Sequence, residues 1–337
     1  MRKAFISGVN GQDGAWLAQL LLNRGYQVTG GIRDTDRSDL WRLETLGIKE
    51  KINYKEFKLE DAHSTERIFQ DETYHEFYHL AAQSSVGQSY AQSLQTAKTV
   101  GFSLNYILDA LKMHSPQTKF FQAGSAEIFG NTNDFPQTEE TPISPINPYG
   151  CAKAYAHFLC KVYRESHELF ITNGILYNHE SELRGSHFLS RKIISHIAGL
   201  YRGKREVLEL GNLNSVRDWG YAKEYVEGIF LSLQNAKPDS FIFSTGKTAS
   251  VRDFVNKAYS LIDIELEWSG EGLEEKAYNK RNSELQVRIN PQFFRPAEIQ
   301  TLCGNPQKAE NTLGWKAKSG ISEIAKFMFD HELKIFY

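Results

Sequence analysis

The fold of this chain is decided by residues 4–22, which read AFISGVNGQDGAWLAQLLL. A short apolar run, a turn rich in glycine and an amphipathic run follow one another, which predicts a strand, a turn and a helix. Gly8, Gly11 and Gly14 would let the backbone turn tightly and approach a pyrophosphate, while the start of the helix offers free N–H groups and partial positive charge. The stretch therefore predicts a dinucleotide site; the alternative is a glycine turn without a ligand.

Further strand signals follow along the chain, with helical stretches between them. The stretches typical of buried strands are residues 25–32, 52–57, 76–82 and 116–124. Strands that alternate with helices form a parallel sheet covered on both faces. The sequence therefore predicts an α/β fold: a Rossmann-type doubly wound parallel sheet with a smaller mixed α/β C-terminal substrate domain.

The composition is that of an ordinary globular protein and argues against several classes of function. With 337 residues, 41% of them apolar, the chain can form about two domains. Its net charge of −2 provides no basic surface for nucleic acid, and no apolar run reaches the roughly 20 residues of a membrane span. Residues 1–3 lead straight into the first strand and leave no room for a signal peptide, so we expect a cytoplasmic protein. Three cysteines without a CxxC spacing argue against a disulfide framework or a metal site.

A second informative stretch carries a tyrosine and a lysine four positions apart. Pro148 suits the start of a helix, and Tyr149 and Lys153 then lie on one face of that helix. The ammonium would lower the pKa of the phenol, so that Tyr149 can act as a base near neutral pH. Taken alone, a Tyr/Lys pair at this spacing is also common on solvated helices.

The strand before that helix ends beside two more polar residues. Residues 119–123 have the pattern of a buried strand, so Ser125 and Glu127 follow directly at its carboxyl end. Ligands of open α/β sheets bind at the carboxyl ends of the strands. Ser125 and Glu127 are therefore candidate site residues, unless the carboxylate is only a surface charge.

The glycine spacing together with Tyr149 and Lys153 resembles the extended short-chain dehydrogenase/reductase family. Six further segments resemble the GDP-mannose 4,6-dehydratase family within it, and they run almost from one end of the chain to the other. They are GQDG at 11–14, AAQS at 81–84, NGILYNHES at 173–181, RDWG at 217–220, FRPAE at 294–298 and LGWK at 313–316.

The resemblance implies a reaction in three stages. The sugar is oxidised at C4, water is eliminated across C5 and C6, and the hydride returns to C6, so that the nicotinamide ends as it began. Tyr149 would take the C4 hydroxyl proton, with Lys153 and Ser125 beside it, and Glu127 would take the C5 proton. Ala126 departs from the family, which usually has a serine there. Glu127 would then have to pass the proton to the leaving oxygen itself, for instance through a bound water.

The resemblance also implies the cofactor residues. An acid at the end of the second strand is typical of NAD enzymes, whereas arginine is typical of NADP enzymes. Here Arg33 and Arg37 can pair with a 2′-phosphate while Asp34 opposes it, so NADP is favoured over NAD. Lys58 stands where the family usually has an adenine-contacting Asp, which puts that contact in doubt. The cofactor-binding residues are expected to be Gly8, Asn10, Gly11, Gln12, Asp13, Gly14, Arg33, Arg37, Leu59, Leu80, Ala81, Ala82, Ser84, Tyr149, Lys153, His179 and Arg184.

The substrate is expected to be a GDP-sugar. By resemblance, Arg217 and Arg295 grip the diphosphate, Lys192 adds a charge and Glu298 meets the ribose or guanine. The full set of expected substrate residues is Ser84, Asn178, Lys192, Gly211, Arg217, Arg295 and Glu298. No metal is expected.

The domain division follows from this assignment. Residues 1–170, with return segments near 213–246, form the NADP-binding domain, and residues 171–212 and 247–337 form the substrate domain. Residues 241–246 would return to the main sheet, and the polar stretch 270–290 would be a loop over the site. Relatives associate through helices beside the cofactor domain, so a homodimer or homotetramer is expected.

Three alternatives to GDP-D-mannose 4,6-dehydration stay open at this point. The same chemistry could act on a GDP-manno-heptose, because no residue reveals what C5 carries. A nucleotide-sugar 4-reductase or epimerase would use Ser125, Tyr149 and Lys153 without a base at 127. A dinucleotide-sensing partner protein could have lost activity through Ala126.

Overall fold

A seven-stranded parallel sheet forms the larger part of the molecule. The computed structural model describes residues 1–294 and 297–334. The strands, numbered in chain order, are β1 (Lys3–Ser7), β2 (Gln27–Ile32), β3 (Asn53–Glu56), β4 (Glu76–His79), β5 (Lys119–Ala123), β6 (Ile171–Leu176) and β10 (Ser240–Phe243). Their order across the sheet is β10-β6-β5-β4-β1-β2-β3, and every pairing is parallel. The order reverses beside β1, which opens a crevice at the carboxyl ends of β1 and β4.

Helices cover both faces of this sheet and surround the smaller part. They are α1 (Gln12–Asn23), α2 (Trp41–Thr45), α3 (Ala62–Asp71), α4 (Val86–Ala91), α5 (Ser93–Thr96), α6 (Ser103–His114), α7 (Pro148–Ser166), α8 (Leu189–Tyr201), α9 (Ala222–Gln234), α10 (Val251–Ser260), α11 (Gln307–Leu313) and α12 (Ile321–Lys334). A π-helical segment, Ala97–Phe102, joins α5 to α6.

Side chains that alternate along β1 fill two separate cores. Ala4 and Ile6 pack with apolar residues of α1 and α9 on one face of the sheet. Phe5, on the other face, packs with residues of α3, α6 and α7. Because both faces are covered, the strands are apolar nearly throughout, and all six residues of β6 are buried. The predicted doubly wound Rossmann-type sheet is therefore confirmed.

Two small sheets and three helices form the rest of the molecule. One sheet contains β7 (Asn178–Glu180), β9 (Val216–Tyr221) and β11 (Thr248–Ser250), and the other contains β8 (Leu208–Leu210), β12 (Leu266–Ser269), β13 (Lys276–Asn279) and β14 (Leu285–Ile289). Residues of α8, α10 and α12 share one apolar core with the second sheet. This arrangement matches the smaller mixed α/β part expected from the sequence.

Residues 270–290 are not the loop that their polarity suggested. The stretch contains two strands, β13 and β14, which pair antiparallel with each other. Ala277, Val287 and Ile289 are buried, while Arg288 faces solvent. The prediction was wrong because a strand with one solvent-exposed face has about as many polar residues as a loop.

The pairing of β6 and β10 bears on the boundary between the two proposed domains. β6 begins at residue 171 and pairs with β5 inside the large sheet, and β10 pairs with β6 at its edge. We therefore propose the division given above with residues 171–176 moved to the nucleotide domain.

None of the helices in the described residues has both the length and the apolar character that a membrane span requires.

Candidate active site

A single large cavity lies at the carboxyl ends of the parallel strands and continues between them and the smaller sheets. Its volume is about 1740 Å³, which exceeds the roughly 300–1,000 Å³ of a pocket for one small ligand. Every site residue expected from the sequence lines this cavity, apart from Arg295, which lies outside the described residues. Residues more than 200 positions apart, such as Gly8 and Glu298, therefore meet at one site.

The turn between β1 and α1 has the shape that a pyrophosphate requires. Gly8 has a φ of +70°, and a Cβ on it would lie 2.9 Å from the Cα of Ala81. A Cβ on Gly14 would lie only 2.2 Å from the carbonyl oxygen of Gly8. Within the described part of the chain no side chain caps the N-terminus of α1, so its first N–H groups stay available to an anion. These residues fit a nicotinamide dinucleotide, and those named above as cofactor-binding would hold it.

The loop after β2 presents two arginines at the edge of the cavity. One carboxylate oxygen of Asp34 accepts hydrogen bonds from the backbone N–H groups of Asp36 and Arg37, at 2.9 Å and 3.1 Å. Asp34 thus shapes the turn. Arg33 and Arg37 are exposed and line the cavity. Lys58, on the other side, pairs with the Glu56 carboxylate at 2.6 Å.

Asp13 and His179 form a buried ion pair beneath the first turn of α1. The His179 Nδ1 lies 2.6 Å from the Tyr177 carbonyl oxygen, and Nε2 lies 2.9 Å from the Asp13 carboxylate. A carbonyl oxygen and an ionised carboxylate both only accept, so this arrangement favours a positively charged ring that carries hydrogen on both nitrogens. Burial opposes this charge, but the Asp13 carboxylate outweighs burial and raises the pKa of His179. His179 is therefore held by Asp13 and does not face the cavity unpaired.

Replacing Asp13 with Asn is expected to lower the free energy of unfolding by about 1.5 to 3 kcal/mol near pH 6. Burial opposes the Asp13 carboxylate, yet His179 lowers its pKa below the ordinary 3.8, while that of His179 lies above 6.5. The ion pair therefore contributes its full stabilisation of the folded state at pH values between the ordinary pKa values of the two groups, 3.8 and 6.5. Its contribution is lost as the pH falls through the pKa of Asp13 or rises through the pKa of His179. Urea unfolding of both proteins from about pH 5 to about pH 9 measures this, and a difference that stays constant with pH contradicts it.

The start of α7 places Tyr149 and Lys153 in the cavity wall. Pro148 is the first residue of the helix, and the side chain of Asn147 caps it by accepting from the Gly150 N–H at 2.8 Å. Tyr149 and Lys153 are both buried, and the ammonium lies 5.7 Å from the centre of the phenol ring. The predicted juxtaposition of the two side chains is present.

The prediction that Lys153 lowers the pKa of Tyr149 is wrong for this structure. Burial raises the pKa of Tyr149 well above its usual value, and the hydrogen bond with Ser125 offsets only part of this rise. The Lys153 ammonium instead donates to the carbonyl oxygen of Ala123 at 2.6 Å, and burial lowers its own pKa to about 8. Spacing along a helix placed the two groups together but could not reveal the cost of desolvating the phenolate.

Ser125 and Glu127 lie on a short 3₁₀ turn, Ala126–Phe129, directly after β5. The Ser125 hydroxyl starts this turn by accepting from the Glu127 N–H at 3.3 Å. The Glu127 carboxylate, half-buried in the cavity wall, accepts a hydrogen bond from the Asn147 side-chain amide at 2.7 Å. Ala126 is buried and provides no polar group. Sequence reasoning missed this contact between Asn147 and Glu127.

The expected substrate residues come from several elements around the cavity: Asn178 and Arg217 lie on the sheet of β7, β9 and β11, and Lys192 lies on α8. The Lys192 ammonium donates to the Glu209 carbonyl oxygen at 2.7 Å and lies 3.7 Å from the centre of the Phe293 ring. Arg217, on β9, is buried and donates to the Val216 carbonyl oxygen at 2.9 Å. The remaining members are Ser84, Asn178, Gly211 and Glu298, whose carboxylate accepts from Asn212 at 2.9 Å.

Arg184 lines the cavity and is also ion-paired within the protein. Its guanidinium lies 2.9 Å from the Glu180 carboxylate and stacks on the ring of Phe188. Its positive charge acts on the pKa of the nearby Asp13 carboxyl. Burial raises that pKa, His179 lowers it, and Arg184 lowers it further.

Comparison with known proteins gives a consistent family. The family model described as GDP-mannose 4,6 dehydratase matches residues 5–328. The GDP-mannose 4,6 dehydratase of Dictyostelium discoideum is 37% identical, over 98% of this chain and 96% of the relative. The GDP-mannose 4,6-dehydratase of Sinorhizobium fredii is 39% identical over the same shares of both chains.

The fold is shared more widely. The crystal structure of a dTDP-glucose 4,6-dehydratase from Streptomyces venezuelae, with NAD and TYD bound, superposes with a TM-score of 0.80 at 16% identity and covers 97% of each chain. At that identity the likeness concerns the fold alone. The family model and the two relatives, which extend over nearly the whole chain, show that this chain belongs to the GDP-mannose 4,6-dehydratase family.

Proposed function

We propose that this chain converts GDP-D-mannose to GDP-4-keto-6-deoxy-D-mannose by oxidation at C4, elimination of water across C5 and C6, and return of the hydride to C6. One observation carries the proposal: the Glu127 carboxylate lines the same cavity as Ser125, Tyr149 and Lys153. A 4-reductase or epimerase has no use for a carboxylate there. The names of the two relatives support the choice of substrate.

The chain's own residues handle the protons of this reaction. Tyr149 takes the C4 hydroxyl proton, and Ser125 holds the same oxygen. The C4 ketone acidifies the C5 proton, which Glu127 removes; the C5–H electrons form the double bond as the C6–O bond breaks. Glu127 then returns a proton to the departing hydroxyl, because Ala126 has none to give. When bound, a nicotinamide dinucleotide would supply a reversible hydride store, and the positive charge of its oxidised form would lower the pKa of Tyr149.

The substrate's charged end is proposed to lie on the smaller sheets. Arg217 and Lys192 line the cavity, and their positively charged groups suit a diphosphate. Asn178 would hydrogen-bond the sugar, and Glu298 the ribose or guanine. Gly211 allows close approach, since a Cβ there would lie 2.6 Å from the Phe293 carbonyl oxygen.

Incubation of the purified protein with GDP-D-mannose and no added cofactor tests the proposal. Dehydration is expected to give a product lighter by one water, with the alkali-dependent absorbance of a 4-keto sugar. Stoichiometric consumption of added NADPH would instead indicate a reductase. A panel of GDP-hexoses and GDP-heptoses, read by mass spectrometry, separates mannose from a heptose. Absence of turnover on the whole panel would leave the non-enzymatic alternative.

We propose further that the dinucleotide is NADP rather than NAD. One oxygen of the Asp34 carboxylate accepts from the backbone of its own turn, and Arg33 and Arg37 line the cavity as positively charged groups suited to a 2′-phosphate. Guanidinium groups bind phosphate bidentately, so two of them suffice to select it.

Replacing both Arg33 and Arg37 with Ala is expected to weaken NADP binding by about 10-fold to 100-fold, because each contributes hydrogen bonds to a charged partner. NAD binding should change by less than about 3-fold, since NAD lacks the phosphate. Titration of both dinucleotides into the cofactor-free protein measures the ratio. Lys58→Ala is the matched control, since it removes a cation from the same rim. An equal loss of affinity for NADP and NAD would show that the two arginines do not recognise the 2′-phosphate.

We also propose a homodimer or homotetramer built on helices beside the nucleotide domain. Exposed apolar side chains cluster on α6 and α7: Tyr106, Met113, Tyr155, Phe158 and Val162. An exposed apolar face shared by two long helices is typical of a subunit contact. Sedimentation velocity gives the number of subunits.

A further inference from the structure

We infer that Asn147 is a positioning residue for the elimination step: its side-chain amide holds the Glu127 carboxylate in the orientation that takes the C5 proton. Asn147 is 4% exposed and does not line the cavity, so it touches neither sugar nor cofactor and acts through Glu127. This role rests on the proposed function, since it concerns the second step of that reaction.

The side-chain amide of Asn147 makes one hydrogen bond through its oxygen and another through its nitrogen. Its oxygen accepts from the Gly150 N–H at 2.8 Å and caps α7. Its nitrogen donates to one carboxylate oxygen of Glu127, Oε2, at 2.7 Å. A backbone N–H can only donate, so the cap fixes which end of the amide faces Glu127. The donor is therefore aimed at the carboxylate by the start of the helix itself.

This contact decides which oxygen of Glu127 is available. Among the described residues no other hydrogen bond holds the carboxylate, because Ser125 bonds the backbone of Glu127 and Ala126 has no polar side chain. With Oε2 engaged, Oε1 is the oxygen left for the substrate. A glutamate side chain has three rotatable bonds, and a hydrogen bond to its charged group removes much of that freedom in advance.

The backbone reinforces the same arrangement. A Cβ on Gly150 would lie 2.7 Å from the Glu127 carbonyl oxygen, so the first turn of α7 packs directly on the turn that carries Glu127. Tyr149 stands in that first turn. One asparagine thus sets the positions of the two groups that act on neighbouring carbons of the sugar, C4 and C5.

Asn147→Ser separates the cap from the contact with Glu127. Serine is an equally good helix cap, so α7 and Tyr149 should stay in place and Tm should be unchanged. A hydroxyl that accepts from the Gly150 N–H replaces the aimed amide donor. Exchange of the C5 proton with solvent deuterium is expected to slow by about 10-fold to 100-fold, the range for a hydrogen bond to a charged group. The single-turnover rate of C4 oxidation, read from nicotinamide absorbance, should stay within about 2-fold of wild type.

Asn147→Asp provides a graded comparison. It keeps the cap but faces Glu127 with a second carboxylate, so its C5 exchange should be slower than that of Asn147→Ser at neutral pH. Asn282→Ser, a substitution of the same kind at an exposed asparagine that accepts from the Glu284 N–H at 3.1 Å outside the cavity, should leave both steps unchanged. Wild-type C5 exchange in Asn147→Ser overturns the inference. An equal loss in both steps with a lowered Tm shows a purely structural cap. A wild-type protein that dehydrates no GDP-sugar removes the proposed function itself, which is a separate result.

Discussion

Replacing Tyr149 with Phe is expected to lower kcat for dehydration of GDP-D-mannose by about 10²-fold to 10⁴-fold, the usual contribution of a general base. The substitution removes one hydroxyl from a buried site and keeps the ring, so packing and Tm should change little. Without the phenol the C4 hydroxyl proton has no acceptor, and oxidation at C4 should stop. Single-turnover nicotinamide absorbance should then show no reduced intermediate, and KM should stay close to that of the wild type because the diphosphate contacts are untouched.

Tyr163→Phe is the matched control for that variant. It makes the same change on the same helix, but its hydroxyl bonds the Asp109 carboxylate at 2.7 Å, outside the cavity. Its turnover should equal that of the wild type. Full activity of Tyr149→Phe would show that another group takes the C4 proton, and would withdraw the role of the α7 tyrosine.

Replacing Glu127 with Gln should block the reaction one step later. The first hydride transfer should proceed, because Ser125 and Tyr149 remain, while solvent deuterium no longer enters C5 and water is not eliminated. The expected loss in kcat is again about 10²-fold to 10⁴-fold. Rapid quenching in deuterated buffer, followed by mass spectrometry, is the measurement. Reduced nicotinamide should accumulate in this variant and not in Tyr149→Phe.

The control for this variant is Glu140→Gln, an exposed glutamate on the segment that links the 3₁₀ turn to α7. It should exchange C5 and dehydrate at the wild-type rate. Unchanged turnover in Glu127→Gln would remove that residue from the mechanism and would bring back the reductase or epimerase alternative.

The parts of the fold and site that could be predicted from sequence depend on short-range geometry. The turn at Gly8 and the pairing of Tyr149 with Lys153 follow from the periods of strand and helix, which few residues determine. The stretch 270–290 was mistaken for a loop because amino-acid composition does not distinguish a strand with one solvent-exposed face from a loop. The ligand roles expected for Arg217 and Glu298 rest only on the resemblance, since no local pattern distinguishes these residues from surface charges.

Two features of the site needed contacts between distant segments. The pKa of Tyr149 depends on how deeply the phenol is buried, and several elements that meet only in the folded chain decide that. The contact from Asn147 to Glu127 joins residues 20 positions apart on different elements. From sequence, Asn147 is simply a good residue to begin a helix.

The sequence by itself determined the doubly wound α/β fold, the glycine turn at 8–14 and the family of the chain, because local patterns and contiguous motifs specify each of them. Only the tertiary structure decided that the carboxyl ends of the strands and the smaller sheets enclose one cavity. It also decided that burial raises the pKa of Tyr149 and that Asn147 holds Glu127. Desolvation and hydrogen-bond geometry depend on which surfaces meet in space, and no local pattern specifies that.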